Sequence, residues 1–170
     1  MSVKRLPPPG RDWYSSGMKI ALALLSLLLC LNASAAEKAI PERAELEAKF
    51  KELLAGCTFN GRWCLVKDGK LGEEREEKYT IEGAVKSGGD VWLIYARVQY
   101  GNKDVKVPVP VQVKWAGDTP VITLDNVAIP GLGTYSARVL VFEKTYAGTW
   151  SAGDHGGMLH GVIEKSEDAN

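Results

Sequence analysis

Asp154, His155 and His160, in the stretch GDHGGMLH, are the grouping in this chain whose types best suit metal or acid–base chemistry. Imidazole and carboxylate are both ordinary ligands for a metal such as zinc. Their spacing is less favourable. His155 falls in a glycine-rich turn and His160 on the strand after it, so the three meet only if the hairpin bends them together. The plainer reading is a polar hairpin. With two histidines in the whole chain, general acid–base chemistry is thinly supplied. No Ser/His/Asp or Cys/His arrangement accompanies them, and Cys64 has no histidine nearby in sequence. GKLGEER lacks the Gly-x-x-x-x-Gly-Lys order of a phosphate loop. Glu73, Glu74, Glu76 and Glu77 crowd one charged stretch and read as a solvated loop. The expectation is therefore a protein that is not an enzyme, with no catalytic residue, no cofactor and no metal site. Asp154, His155 and His160 remain the residues a metal-enzyme reading would have to use.

Aromatic residues form the second group. Trp63, Trp92, Trp115 and Trp150 each fall on the apolar face of a different predicted strand. Tyr79, Tyr100, Tyr135 and Tyr146 fall on apolar faces too. If those strands close on one another, the eight rings converge inside. Small eight-stranded barrels either fill their interior with side chains or hold one small ligand, and sequence alone does not measure an empty volume. These eight residues are the candidate ligand-binding set, for an apolar or aromatic small molecule.

The strands that must position them are legible as alternation. Tyr79 and Ile81, continued by Gly83 and Val85, form one inward row, and Trp92, Ile94, Ala96, Val98 and Tyr100 another. From Val105 to Trp115 every second residue is apolar, the cleanest period-two pattern in the chain. Shorter patterns follow at Val121–Asp125, Tyr135–Val141, Tyr146–Trp150 and Met158–Ile163, separated by Gly-, Pro- and Asp-rich turns. With Phe59–Val66 this makes eight strands. No crossover helix separates them, so the sheet must be antiparallel. The predicted fold is all-β, an eight-stranded up-and-down meander or barrel, with a two-layer sandwich as the alternative. Pro108 and Pro110 share one parity, so the donors they lack would both have faced the same neighbour. A gap or edge is expected there.

One amphipathic helix precedes the strands. Leu46, Phe50, Leu53 and Leu54 recur at helical spacing, and Glu45–Lys49 and Glu47–Lys51 are i,i+4 pairs on the wet side. Pro41 and Gly56 punctuate its ends.

The stretch GCTFNGRWCLV joins helix to strands and has two readings. Asn60-Gly61 is a hairpin dipeptide, and a turn there would bring Cys57 and Cys64 to about 5.5 Å as a paired position. Without the turn, seven steps of strand set them roughly 23 Å apart, beyond the ~7 Å limit for a disulfide. An even number of cysteines after the leader favours a bridge. Alternation favours the straight strand, which puts Phe59, Gly61 and Trp63 on one face. A loop folding Cys57 back from the helix end would reconcile the two.

Gly61-Arg62-Trp63 resembles the Gly-x-Trp signature that opens the lipocalin barrel, and Gly148-Thr149-Trp150 sits on a late aromatic strand resembling avidin-type barrels. The long C-terminal helix of lipocalins is missing, and the polar ligand contacts of avidins have no residue-by-residue match, so no functional residue is carried over. The segments DVWLIYARVQYGNKDVKVPVPVQVKWAGDTPVITLDNVAIPGLGTYSARVLV and YAGTWSAGDHGGMLHGVI are similar to a group of small uncharacterised secreted bacterial proteins. That similarity implies a shared fold and export, with no activity attached.

Export is also expected from the N-terminus. Lys19, the apolar run Ile20–Leu31 and the small residues Ala33 to Ala36 have the form of a signal peptide, and twelve apolar residues fall short of the ~20 a spanning helix needs. Leu29 is too large for the position before a lipidated Cys30. Residues 1–36 hold four bases (Lys4, Arg5, Arg11, Lys19) and one acid (Asp12) of the chain's 21 of each, so the remainder carries three more acids than bases. No basic patch stands out, which excludes nucleic acid as an expected partner. The organisation reads as 1–17 an N-terminal extension ahead of the true start at Met18, 18–36 signal peptide, 37–56 helix, 57–165 barrel and 166–170 disordered tail. The function expected is an exported, periplasmic or secreted binding module. A solid-cored envelope interaction module is the alternative, and a membrane is involved only if the leader is retained.

Overall fold

The structure is a computed structural model and describes residues 41–165. The expected extension, signal peptide and C-terminal tail lie outside the described residues.

Helix α1 (Arg43–Leu54) comes first. After it run β1 (Cys57–Lys67), β2 (Lys70–Leu71), β3 (Arg75–Gly88), β4 (Val91–Tyr100) and β5 (Lys103–Ala116). They continue with β6 (Thr119–Ile129), β7 (Gly133–Phe142), β8 (Thr145–Ala152) and β9 (His155–Lys165). From β3 to β9 each strand pairs antiparallel with the next, and β1 pairs with both β3 and β9. The result is the closed eight-stranded antiparallel barrel preceded by one helix that the alternation predicts. The ninth strand, β2, is a short hairpin arm on β1.

That arm shows where the hairpin dipeptide acts. Asn60-Gly61 lies inside β1, which runs straight from Cys57 to Lys67. The turn is made by Asp68-Gly69, where φ is +51° and +71°. Two successive positive φ angles are what a tight primed turn requires. Asn60 stays extended because both edges of β1 are already paired, with Lys78 on one side and Val162 on the other. Both cysteines are buried and unbridged.

The helix closes one end of the barrel. Its buried residues are Leu46, Phe50 and Leu54. Phe50 stands edge-on to Trp92 at 5.3 Å and to Trp115 at 6.2 Å between ring centres. Lys165, at the end of β9, donates from Nζ to the carbonyl oxygens of Glu52 and Ala55, satisfying groups the helix leaves open at its C-terminus. Of the two expected helical ion pairs, Glu45–Lys49 forms at 2.6 Å. Glu47 does not pair with Lys51. It faces the barrel and binds Arg43 at 2.7 Å and Lys86 of β3.

Two departures from simple alternation shape the wall. A register shift between Ile81 and Gly83 on β3 reverses the parity beyond it. Ala84 is thus buried and Val85 half-exposed outside, against the expected inward Gly83 and Val85. The second is the seam foreseen from the prolines. β5 pairs with β4 from Lys103 to Gln112, but with β6 only from Gln112 to Ala116. Below that point Pro108 and Pro110 have no N–H to offer toward β6, and the two strands part.

The hairpins β3–β4, β5–β6 and β7–β8 lie at the helix end. Those joining β4–β5, β6–β7 and β8–β9 gather at the other, open end together with the β2 arm.

Candidate ligand cavity

Inside the barrel is a cavity of about 380 Å³, within the range of roughly 300–1,000 Å³ usual for small-molecule sites. Its floor is Leu54 of the helix, and its mouth is framed by Leu65, Ile129, Leu132 and His155 at the open end. Aliphatic side chains from β4 to β7 make one wall. Rings dominate the other, from Phe59 and Trp63 of β1, Tyr79 of β3 and Tyr146 and Trp150 of β8, with glycines between the inward side chains of β1, β8 and β9.

Six of the eight predicted aromatic residues line this volume: Trp63, Tyr79, Tyr100, Tyr135, Tyr146 and Trp150. Trp63 meets Trp150 edge-on at 5.6 Å and Tyr100 at 6.3 Å. The hydroxyls of Tyr100 and Tyr135 are 2.8 Å apart, and Tyr135 Oη also donates to the Leu132 carbonyl at 3.3 Å. Burial, together with the Tyr135 hydroxyl, pushes the Tyr100 phenol up. The other two rings sit elsewhere. Trp92 and Trp115 do point inward, but Phe50 covers them, so they belong to the plugged end under the helix and not to the cavity wall. The Arg43 guanidinium lies 5.3 Å over the Trp115 ring. All four indole N–H groups are buried without a hydrogen-bond partner.

The polar group inside is one the alternation pattern should have revealed. Glu77, expected in a solvated loop with Glu73, Glu74 and Glu76, is 5% exposed and lines the cavity. Its three neighbours are exposed. The loop ends earlier than expected, since β3 begins at Arg75. Glu77 then has the parity of Tyr79 and Ile81 and must face inward. Tyr79 Oη donates to its Oε2 at 2.6 Å and Tyr146 Oη to its Oε1 at 3.0 Å. Burial raises the Glu77 carboxyl to about 7, and the two hydroxyls pull against that rise. Both phenols are in turn pushed up, first by burial and then by the neighbouring carboxylate.

Two glycines allow this arrangement. Tyr146, Gly161, Gly61, Glu77 and Tyr100 are successive partners across β8, β9, β1, β3 and β4. A Cβ on Gly61 would strike the Tyr146 hydroxyl and the His160 carbonyl. One on Gly161 would strike the Tyr146 ring, at 2.7 Å from Cε1. Tyr146 therefore lies flat over two strands that carry no side chain there. Gly61 of the Gly-x-Trp triplet has a local steric role in this chain.

The Asp154, His155 and His160 set does not come together. His155 Nδ1 is 3.2 Å from Asp154 Oδ1 and its ring packs 5.7 Å from Trp150 at the mouth. That contact holds the Asp154 carboxyl below the usual range. His160 has the opposite parity on β9, points outward and lies 3.7 Å from Glu74. Five steps of strand separate the two imidazoles by roughly 16 Å. Among the described residues no group of three or more His, Cys, Asp or Glu is placed to hold a metal.

The site combines an apolar, ring-lined volume with one carboxyl fixed by two hydroxyls. A volume of this kind suits the hydrophobic body of a small molecule, with the carboxyl placed to meet a polar end. No protein-family model, curated protein or solved structure matches this chain.

Proposed function

We propose that this protein is an exported, non-catalytic barrel that carries or captures a small, largely apolar or aromatic molecule in its interior. The observation that carries the reading is the cavity of about 380 Å³ whose walls are almost wholly apolar. Unfilled apolar space inside a barrel forfeits packing contacts, and a bound hydrophobic molecule would restore them. Export rests on the sequence from Met18 to Ala36, which has the order of a cleaved signal peptide. Periplasmic or secreted residence follows from it.

The interaction-module reading has one observation in its favour. Val91 and Tyr95, with Val85 across from them, are exposed on the outer face of β3 and β4, and apolar outer faces can mark contacts. Among the described residues no helix is long and apolar enough to cross a membrane.

The test is uptake of N-phenylnaphthylamine, a probe that fluoresces in apolar surroundings. One molecule per chain should bind with a rise in emission. Ala137→Trp, which fills the cavity from β7, should abolish the rise while the protein stays folded by circular dichroism. Binding that is unaffected by Ala137→Trp would move the site to the outer face and overturn the reading.

A further inference from the structure

The charge inside the cavity narrows the class of ligand, on the premise that the cavity is a ligand site. Of the residues that line it, Glu77 is the acid and none is a lysine or arginine. An anionic amphiphile, such as a fatty acid, would bring its carboxylate to a carboxyl with no lysine or arginine in the wall to receive it, and the one imidazole of the lining, His155, stands at the mouth beside Asp154. Like charges in low dielectric repel strongly. A cation meets the opposite situation. Both oxygens of Glu77 already accept from hydroxyls. A carboxylate offers about four acceptor positions, so two are left for a donor arriving from the cavity. Around it stand the rings of Phe59, Tyr79, Tyr100 and Tyr146, whose π faces attract a positive charge. We propose that the cavity is a site for an apolar cation, an organic amine with a hydrophobic body, whose ammonium group docks on the Glu77 carboxylate between Tyr79 and Tyr146.

The groups facing Glu77 support this. From its own strand it meets Tyr79, and from β8 it meets Tyr146, with Tyr100 of β4 beside Tyr79. Gly61 of β1 and Gly161 of β9 present no side chain. Arg75 is committed to the Trp63 ring, 5.4 Å away, and Lys78 is exposed with outward parity. The carboxyl therefore has hydroxyl partners and no cationic one, and burial holds it near neutrality. An ammonium supplies the missing counter-charge, and two of its three donors fit the two free acceptor positions.

Phenylbutylamine, phenylbutanol and phenylbutyrate share one apolar body and differ in charge, and their affinities by calorimetry decide the matter. The amine should bind at least about tenfold more tightly than the alcohol, and the acid more weakly than both. In Glu77→Gln the ratio of amine to alcohol affinity should fall to about one. If that variant does not fold, the wild-type protein supplies the same information. Amine affinity should drop as the pH is lowered from about 8 to about 5, where Glu77 takes up a proton, while alcohol affinity stays level. Alcohol or acid binding as tight as the amine, or an amine affinity indifferent to pH, would overturn the cation while leaving the cup intact. Failure of all three to bind, with no uptake of N-phenylnaphthylamine, would remove the cup itself.

Discussion

Tyr146 Oη donates to Glu77 Oε1 at 3.0 Å although two strands, β9 and β1, run between the residues. The reach is possible because the intervening positions are Gly161 and Gly61, and it fixes a buried carboxyl from across two strands on the same inner face. This one contact joins β8 to β3 across the point where β1 and β9 close the barrel.

Gly61→Ala tests that closure. The added methyl collides with the Tyr146 hydroxyl and with backbone of β9, so the tyrosine must leave Glu77. Overpacking and loss of a hydrogen bond to a buried acid together cost about 3 kcal/mol. Gly83→Ala is the control, because nothing lies within 4 Å of its Cβ position, and it should change stability by less than about 0.5 kcal/mol. Urea unfolding of both variants checks the pair.

Glu77 should make the protein less stable as the pH rises through the weakly acid range. Its carboxyl is raised by burial from an ordinary value of 4.5 to about 7 in the folded chain. Between those values the folded state therefore holds a proton that the unfolded state has lost, and stability must fall with rising pH. The full contribution is present below about 4.5 and gone above about 7, a loss on the order of 3 kcal/mol. The carboxylates that partners hold low, Glu47, Asp90 and Asp104, titrate below this window and do not mask it. Urea midpoints measured from pH 4.5 to 7 should decline in the wild type and stay level in Glu77→Gln.

The seam between β5 and β6 should be visible in amide exchange. The N–H groups of Val105, Val107, Val109 and Val111 have the parity that pairs with β4 and should exchange slowly. Those of Asp104 and Lys106 face the gap opposite β6, as the missing donors of Pro108 and Pro110 would have, and should exchange within the fast, unprotected class. Equal protection of the two sets would mean that the seam is closed in solution.

The two thiols should remain free and inert while the barrel is folded. Cys57 is fully buried, and burial pushes its thiol up to about 11. The thiolate is the reactive form, so iodoacetamide at pH 8 should leave Cys57 unmodified in the native protein. Both cysteines should be labelled in denaturant without prior reduction. An intact mass two hydrogens short would show a Cys57–Cys64 bridge instead.

Period-two alternation was enough to place eight strands, to direct the rows of Trp92 and Val105 inward, and to keep Cys57–Lys67 straight against its hairpin dipeptide. Helical spacing likewise set the buried stripe of α1, and the shared parity of two prolines located the seam. These are properties of one strand or helix at a time, since each side chain's face follows from its own backbone. Where a strand begins is less local, and a β3 starting at Arg75, ahead of the row of Tyr79 and Ile81, turned Glu77 from a solvated acid into the polar centre of the cavity. The bulge at Gly83 reversed the faces of Ala84 and Val85 for the same reason. Contacts across the barrel lie further still from the linear pattern. Tyr146 meets Glu77, Phe50 covers Trp92 and Trp115, and His155 parts from His160 because of how eight strands stagger and close. Whether the interior is full or hollow depends on that closure too, since volume is a property of the whole ring and not of any row within it.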